Sequence, residues 1–308
     1  MASIPKCTVV TACYDLTKYH NKSRNRNEII SNITPLMQIP CYLVIYCNSC
    51  IYNDIKSLRE QYNLLHITQI IVQELEDTWA GINLLDKIKY NRTIYWPTKD
   101  ERTCSETHAL TCNKFDFVYQ AIINNYFNSD KFAWIDVFVG QNFCRLSEGI
   151  TTNIFLNILA NTSDKFHIQI LNVQDKKYKL ENNKREYYNV YPWIVCGGFF
   201  TTPTTIGLNI LNRLKEIVLN TTNLGFGHGE EPFYLEVLDE FYNDIERSYG
   251  DYKQMLNNYF KPICNIEYIV NYIILRFFNF NYYKECIDAC KAVIDSYESY
   301  KTTINYDI

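Results

Sequence analysis

Thr8-Val-Val-Thr-Ala-Cys13, Cys41-Tyr-Leu-Val-Ile-Tyr-Cys47 and Ile67-Thr-Gln-Ile-Ile-Val-Gln73 are the runs that decide the fold class. Each is short, apolar and rich in β-branched or aromatic residues, which is how a buried strand reads. Between the first two, a polar segment leads to a predicted helix over Asn27–Met37. Between the second and third, Ile51, Ile55, Leu58 and Tyr62 share one helical face with charges between them. Strand, helix, strand, helix, strand in the first quarter of a chain is the pattern of a parallel sheet covered by helices.

Farther along, a helix opened by Lys114 is predicted to run to Asn124 with Phe115, Val118, Ala121 and Ile122 inward. Phe132-Ala-Trp-Ile-Asp-Val-Phe-Val139 follows as an apolar strand interrupted by one carboxylate, Asp136. His167–Val173 and Trp193–Phe200 read as strands around a lysine-rich hairpin, Asp175–Arg185, and Thr205–Leu219 as a helix. Gly225-Phe-Gly-His-Gly-Glu-Glu231 is a glycine loop that delivers two carboxylates to a helix led by Pro232. From Asp251 onward the chain reads as helical and aromatic. No internal repeat or low-complexity linker divides it.

The 308 residues, 47% of them hydrophobic, suffice for one large α/β domain with a helical extension. A net charge of -4 without a basic stripe excludes the electrostatic footprint of a nucleic-acid binder and of a polybasic membrane anchor. The 26 tyrosines read as partly buried aromatics before they read as sugar-stacking platforms. Met1–Lys6 lacks the features of a signal peptide, and Tyr268–Phe280 carries Asn271 and Arg276 and is too short to span a bilayer, so a soluble, cytoplasmic protein is expected. The sequons at Asn32, Asn91 and Asn220 are then idle. In such a compartment the twelve cysteines are expected as free thiols. Cys47-x-x-Cys50 follows a strand instead of opening a helix, which makes it a weak redox motif. Cys104, His108 and Cys112, four residues apart, offer a zinc ion three ligands on one helical face, the minor alternative to buried thiols.

In open parallel sheets ligands lie beyond the carboxyl ends of the strands. Thr11, Ala12, Tyr14 and Asp15 fall there after the first strand, Asn48 after the second, and Asp136 in or at the end of the central one. A buried aspartate needs a cation, a lysine or backbone donors. A divalent metal bridging Asp136 to a diphosphate satisfies that need; a structural base is the alternative. Asn113 and Lys114 precede this strand, and the lysine either neutralises phosphate or is solvated. On the glycine loop, Glu230 or Glu231 suits an acceptor-activating base, and His228 is a second candidate base or a metal ligand. The bland reading is a pair of acids favoured by a helix N-terminus. Gly197-Gly198 suggests backbone against a substrate or a tight turn.

Thr8-Val-Val-Thr-Ala-Cys-Tyr-Asp15, Asn113-Lys-Phe115, Phe132-Ala-Trp-Ile-Asp136, Cys196-Gly-Gly-Phe-Phe200, Gly229-Glu-Glu231 and Tyr249-Gly-Asp-Tyr252, in that order, resemble the HtrL/YibB family of proteins taken as glycosyltransferases. The resemblance spans roughly residues 7 to 262. It implies a GT-A fold, with a mixed central sheet flanked by helices over 1–262 and a helical extension over 263–308. It further implies a nucleotide-sugar donor, a UDP-sugar first, bound by Thr11, Ala12, Tyr14, Asp15, Asn48, Asn113, Lys114, Asp136, Gly197 and Gly198, and a role in glycan assembly. The acceptor is a glycan, lipid-linked or protein hydroxyl. Asp136 takes the place of the metal motif Asp-x-Asp, with Mn2+ or Mg2+ as the ion; position 138 is phenylalanine, so the second aspartate is absent. The late acidic pair resembles the motif that supplies the base of inverting enzymes, which favours Glu231 or Glu230.

Two rivals stand beside this reading. A nucleotidyltransferase usually shows a glycine- and basic-rich loop after the first strand, and Thr11-Ala-Cys-Tyr-Asp15 is neither. A non-catalytic nucleotide-sugar or glycan-binding protein would account for the missing aspartate.

Overall fold

Consecutive residues of a strand face opposite ways, so a strand buried on both faces must be apolar throughout. Val9 and Val10 illustrate the rule: both are fully buried, in the cores on the two faces of the sheet. The computed structural model describes residues 4–95, 100–137, 151–173, 180–189, 192–226, 229–252, 255–261, 263 and 265–304. Its strands are β1 (Cys7–Cys13), β2 (Tyr42–Cys47), β3 (Thr68–Val72), β4 (Lys131–Ile135), β5 (Phe166–Ile170), β6 (Val195–Pro203) and β7 (Ile245–Tyr249). They form one sheet in the order β3-β2-β1-β4-β6-β5-β7. Only β6 among them runs antiparallel to its neighbours, β4 and β5.

The helices are α1 (Arg26–Met37), α2 (Tyr52–Gln61), α3 (Trp79–Asn83), α4 (Leu85–Ile94), α5 (Ser105–Asn124), α6 (Thr152–Ala160), α7 (Leu180–Asn189), α8 (Thr204–Asn223), α9 (Tyr234–Glu240), α10 (Ile266–Phe278) and α11 (Tyr283–Ile304). Helices α5 and α8 bury Phe115, Val118, Leu211 and Leu214 against one face, and α1, α2 and α6 bury Ile33, Ile55 and Phe155 against the other. Ile269, Ile273, Phe277 and Tyr282 make a small third core in the C-terminal helices. There the Tyr272 hydroxyl donates to the Leu171 carbonyl at 2.7 Å and Phe277 meets the Tyr249 ring edge-on. Among the described residues, no helix is long and apolar enough to cross a membrane.

This is the α/β class that the strand and helix pattern implied, with the mixed sheet flanked by helices that the resemblance implied. Four local readings need correction. Lys114 does not open its helix: α5 starts at Ser105, capped by Cys104. The earlier start escaped a reading by apolar spacing because Glu106, His108, Asn113, Lys114 and Asp116 are polar yet buried. β4 stops at Ile135, so Asp136 sits just past the strand, and residues 138 and 139 lie outside the described ones. The lysine-rich hairpin is in part a helix, α7, while residues 174–179 lie outside the described ones. Strand β7 was not foreseen, since Ile245 is its one fully buried position.

Arg59 shows what the connection into β2 requires. Its side chain is fully buried, donating to the carbonyls of Met37, Ile39 and Cys41 at 2.9–3.2 Å and to the Thr68 hydroxyl at 2.7 Å. A lysine cannot reproduce that fork. Arg59→Lys is expected to lower unfolding free energy by about 1–3 kcal/mol in urea titrations, and Arg59→Ala by about 3 kcal/mol or more, because buried acceptors lose their donor. A loss under about 0.5 kcal/mol for both would refute this role.

Candidate active site

From β1 the chain moves outward to β2 and β3, then returns to lay β4 on the other side of β1. Beyond the carboxyl ends of two strands that part in this way, a crevice is left between the departing chains. A cleft of about 200 Å³ opens there. Ala12, Tyr14 and Leu16 line it from the end of β1, Trp134, Asp136 and Val137 from the end of β4, and Ser23 and Arg24 from the polar segment before α1. Asp100, Arg102 and Thr103 precede α5, whose Thr107, Leu110, Thr111 and Lys114 complete the wall. These four recur at the spacing of one helical face. The Tyr14 hydroxyl is buried and makes no hydrogen bond among the described residues.

Lys114 reaches from α5 to the end of the sheet and is 1% exposed. Its ammonium donates to Glu230 Oε1 at 2.6 Å, to the Gly197 carbonyl at 3.0 Å and to Asp136 Oδ1 at 3.3 Å, 5.5 Å from the centre of the Trp134 ring. Burial works against its charge, but Asp136 and Glu230 outweigh burial and hold its pKa above the usual lysine range. Asp136 Oδ1 also accepts the Trp134 indole N–H at 2.7 Å, and its backbone N–H donates to the Gly198 carbonyl at 2.8 Å. The acid thus has the lysine and the donors that its place among apolar neighbours demands. Position 197 is closely packed by the acidic pair: a Cβ there would stand 2.9 Å from Glu230 Oε1 and 3.2 Å from Glu231 Cγ and would press on both.

Glu231, 7% exposed, opens a short 3-10 turn, Glu231–Phe233, before α9. Its Oε1 accepts the Gly197 N–H at 3.1 Å and the Tyr252 hydroxyl. Burial, and then the neighbouring Glu230, push its pKa up to about 8. Arg24 is pulled below its usual range by burial and by the like charge of Arg102. Asp100 is held at about 2 by the two-point hydrogen bond of Arg102, at 2.7 and 2.9 Å.

The structure therefore joins Lys114, Asp136, Gly197, Gly198, Glu230 and Glu231 in one network, and puts Ala12 and Tyr14 in the cleft beside it. Other expected site residues point their side chains to structural partners. Thr11 donates to the Ile135 carbonyl at 2.6 Å, tying β1 to β4. Asn48 staples the loop after β1 through the backbone of Asp15, and the Asp15 carboxylate accepts from Thr17. Asn113 faces α3, where it accepts the Ala80 N–H at 2.8 Å. His228 lies outside the described residues. Arg24, Arg102 and the α5 wall join the cleft without a motif to mark them; the spacing of Thr107, Leu110, Thr111 and Lys114 is the one signal they leave in the sequence.

For a divalent metal, Asp136 Oδ2 makes no hydrogen bond among the described residues and the side chain is 37% exposed. One carboxylate oxygen suits an ion whose remaining ligands are phosphate and water, as Mg2+ commonly has. The described residues contain no group of three histidines, cysteines or acids able to hold an ion. The zinc reading of Cys104, His108 and Cys112 is corrected accordingly: the Cys104 sulfur caps α5 and Cys112 is wholly buried. The ten cysteines among the described residues are free.

Residues 5–201 match the model of the family described as bacterial protein of unknown function, HtrL_YibB. The chain belongs to the HtrL_YibB family. No curated protein matches this family member. Among solved structures it is similar to core-mannan synthase A from Aspergillus fumigatus in its Mn/GDP form (TM-score 0.44, 10% identity, 79% of this chain and 72% of that one). It is also similar to galactosyltransferase LgtC with donor and acceptor sugar analogues (0.40, 8%, 78% and 73%) and to mouse xyloside xylosyltransferase 1 in its apo form (0.39, 10%, 78% and 84%).

The raised pKa of Glu231 sets a stability test. The folded chain keeps the proton up to about pH 8, whereas an unfolded glutamate releases it above about 4.3. Native protein thus binds more protons in between, and stability falls as pH rises through that window. Glu231→Gln removes the dependence. Relative to the parent, this variant should gain on the order of a few kcal/mol between pH 5 and pH 8.5 in denaturant titrations. A difference that does not change with pH would show that Glu231 is ionised throughout.

Proposed function

We propose that the chain is a glycosyltransferase of the GT-A type that binds a nucleotide sugar, a UDP-sugar first, and transfers the sugar to a hydroxyl of a glycan, lipid-linked or protein acceptor with inversion. The observation that carries the reading is the cleft at the switch point between β1 and β4, walled by Arg24 and Arg102 and ending at Asp136. Burial first, and then the like charge of Arg102, lower the pKa of Arg24, and an anion between the guanidinium groups would offset both. Donors fixed in a partly closed site stabilise the charge that grows on a leaving diphosphate. A volume of about 200 Å³ takes a nucleobase or a diphosphate and leaves the sugar at the lip, where Lys114 links Asp136 to Glu230. Asp136 would hold the divalent ion through Oδ2, and that ion would supply Lewis acidity to the diphosphate. Glu231, with a pKa of about 8, is close to the operating range of a base that takes a hydroxyl proton. We place the reaction in the cytoplasm, where thiols such as the free cysteines here stay reduced.

One observation favours a second reading, a non-catalytic nucleotide-sugar binder: Glu230 is engaged by Lys114, and both acids of the pair are more than nine-tenths buried. Two variants separate the readings. UDP-, GDP-, CMP- and dTDP-sugars, screened by thermal shift with and without manganese, should yield one nucleotide class that raises the melting temperature. Asp136→Asn should abolish the manganese-dependent part of that gain in calorimetry. Glu231→Gln should lower transfer or slow donor hydrolysis by roughly 10²-fold with donor affinity little changed. Full turnover in Glu231→Gln would remove Glu231 as the base, and no response to any nucleotide would remove the donor site.

A further inference from the structure

Tyr249-Gly-Asp-Tyr252 is a sequence motif that the cleft does not use, and the structure gives it a fixed shape. Gln169 on β5 donates through Nε2 to the carbonyls of Gly250 and Asp251, both at 3.0 Å. Asn258 Nδ2 donates to Gln169 Oε1 at 2.6 Å and to the Tyr249 carbonyl at 3.0 Å. Gln169 and Asn258 are buried, so these amides are spent on holding the turn from inside. A side chain at the turn's second position would press on this clamp: a Cβ on Gly250 would stand 2.8 Å from Asn258 Nδ2. Its outcome is that the Tyr252 hydroxyl meets Oε1 of Glu231, the oxygen that already accepts the Gly197 N–H.

We propose that Tyr252 is the positioning residue for Glu231: with the Gly197 N–H it pins Oε1, and so leaves Oε2 as the oxygen that takes the acceptor's proton. The inference rests on Glu231 being the base. Both hydrogen bonds converge on one oxygen, and Oε2 makes none among the described residues. A carboxylate pinned at one oxygen cannot turn about its last torsion, so the second is presented in one direction. A phenol that donates to a carboxylate also favours its charged form. Other charged or titratable groups around Glu231 are Glu230 beside it, Lys114 from α5, Cys196 from β6 and Tyr234 from α9. Burial raises the pKa values of Cys196 and Tyr234 well above their ordinary range, so both stay neutral while Glu231 titrates. Burial and Glu230 push Glu231 up, and Tyr252, Gly197 and Lys114 oppose them.

The test is a titration that needs no substrate. In the full chain labelled with 13C at glutamate side-chain carboxyls, the Glu231 resonance is assigned by its loss in Glu231→Gln and followed from pH 5 to pH 10. Tyr252→Phe removes one hydroxyl and should raise the midpoint by about one unit. Gly250→Ala, which presses on Asn258, should move it in the same direction, so the answer does not hang on one variant. Once a donor is known from the nucleotide-sugar screen, the rising limb of kcat against pH should shift by the same amount, with donor KM unchanged. A midpoint unmoved in both folded variants overturns the proposal. The titration reports on Tyr252 whether or not Glu231 is the base, so failure here is told apart from failure of the base assignment, which the turnover of Glu231→Gln decides.

Discussion

A lysine ammonium enclosed between a helix and the end of a sheet is tolerable only if its protons find acceptors, and Lys114 meets that demand through Asp136, Glu230 and the carbonyl of Gly197. The three acceptors come from β4's end, β6 and the loop before α9, so one ion ties together segments far apart in sequence. Removing any carboxylate leaves charge less well compensated in a region shielded from water, which is the costly way to break a buried pair. The tie also uses the antiparallel strand β6, which lies between β4 and β5 in the sheet. β6 sets Phe199 opposite Ile135, and just beyond that pair the carbonyl of Gly198 receives the Asp136 N–H and that of Gly197 receives Lys114.

Burial and neighbouring charge together set the electrostatics around this ion. Asp136, Glu230 and Glu231 gather around one lysine, and burial first, then the neighbouring Glu230, favour the protonated form of Glu231. The cleft and the acidic pair thereby share one electrostatic unit: the cleft opens on Asp136 and Lys114, and the same ammonium holds Glu230 next to the proposed base.

Much of the architecture was legible because its elements obey simple periodicities. The runs at β1, β2 and β3 are apolar since both faces are buried, and Ile51, Ile55 and Leu58 repeat at helical spacing because one face of α2 is covered. Asp136 stood out as one carboxylate in an apolar run, and the structure gives it the partners that such a place requires. What stayed hidden breaks these periodicities. The first half of α5 buries Glu106, Asn113 and Lys114, so polarity argued against a helix that packs inside. Arg24 and Arg102 come from polar segments with no repeat, and only the folded chain brings them to one cleft. Gly197-Gly198 reads as backbone against a substrate or as a tight turn; in the folded chain both lie within β6, and Gly197 packs against Glu230 and Glu231.

The central claim is that the nucleotide sugar binds in the crevice between β1 and β4. Hydrogen exchange measured by mass spectrometry, with and without a nucleotide sugar and manganese, tests it most directly, since ligand contact suppresses local opening of the backbone it touches. The account predicts slower exchange in peptides covering Ala12–Arg24, Asp100–Thr111 and Trp134–Val137, the walls of the cleft. Protection confined to other parts of the chain, with these peptides exchanging as in the free protein, would contradict it.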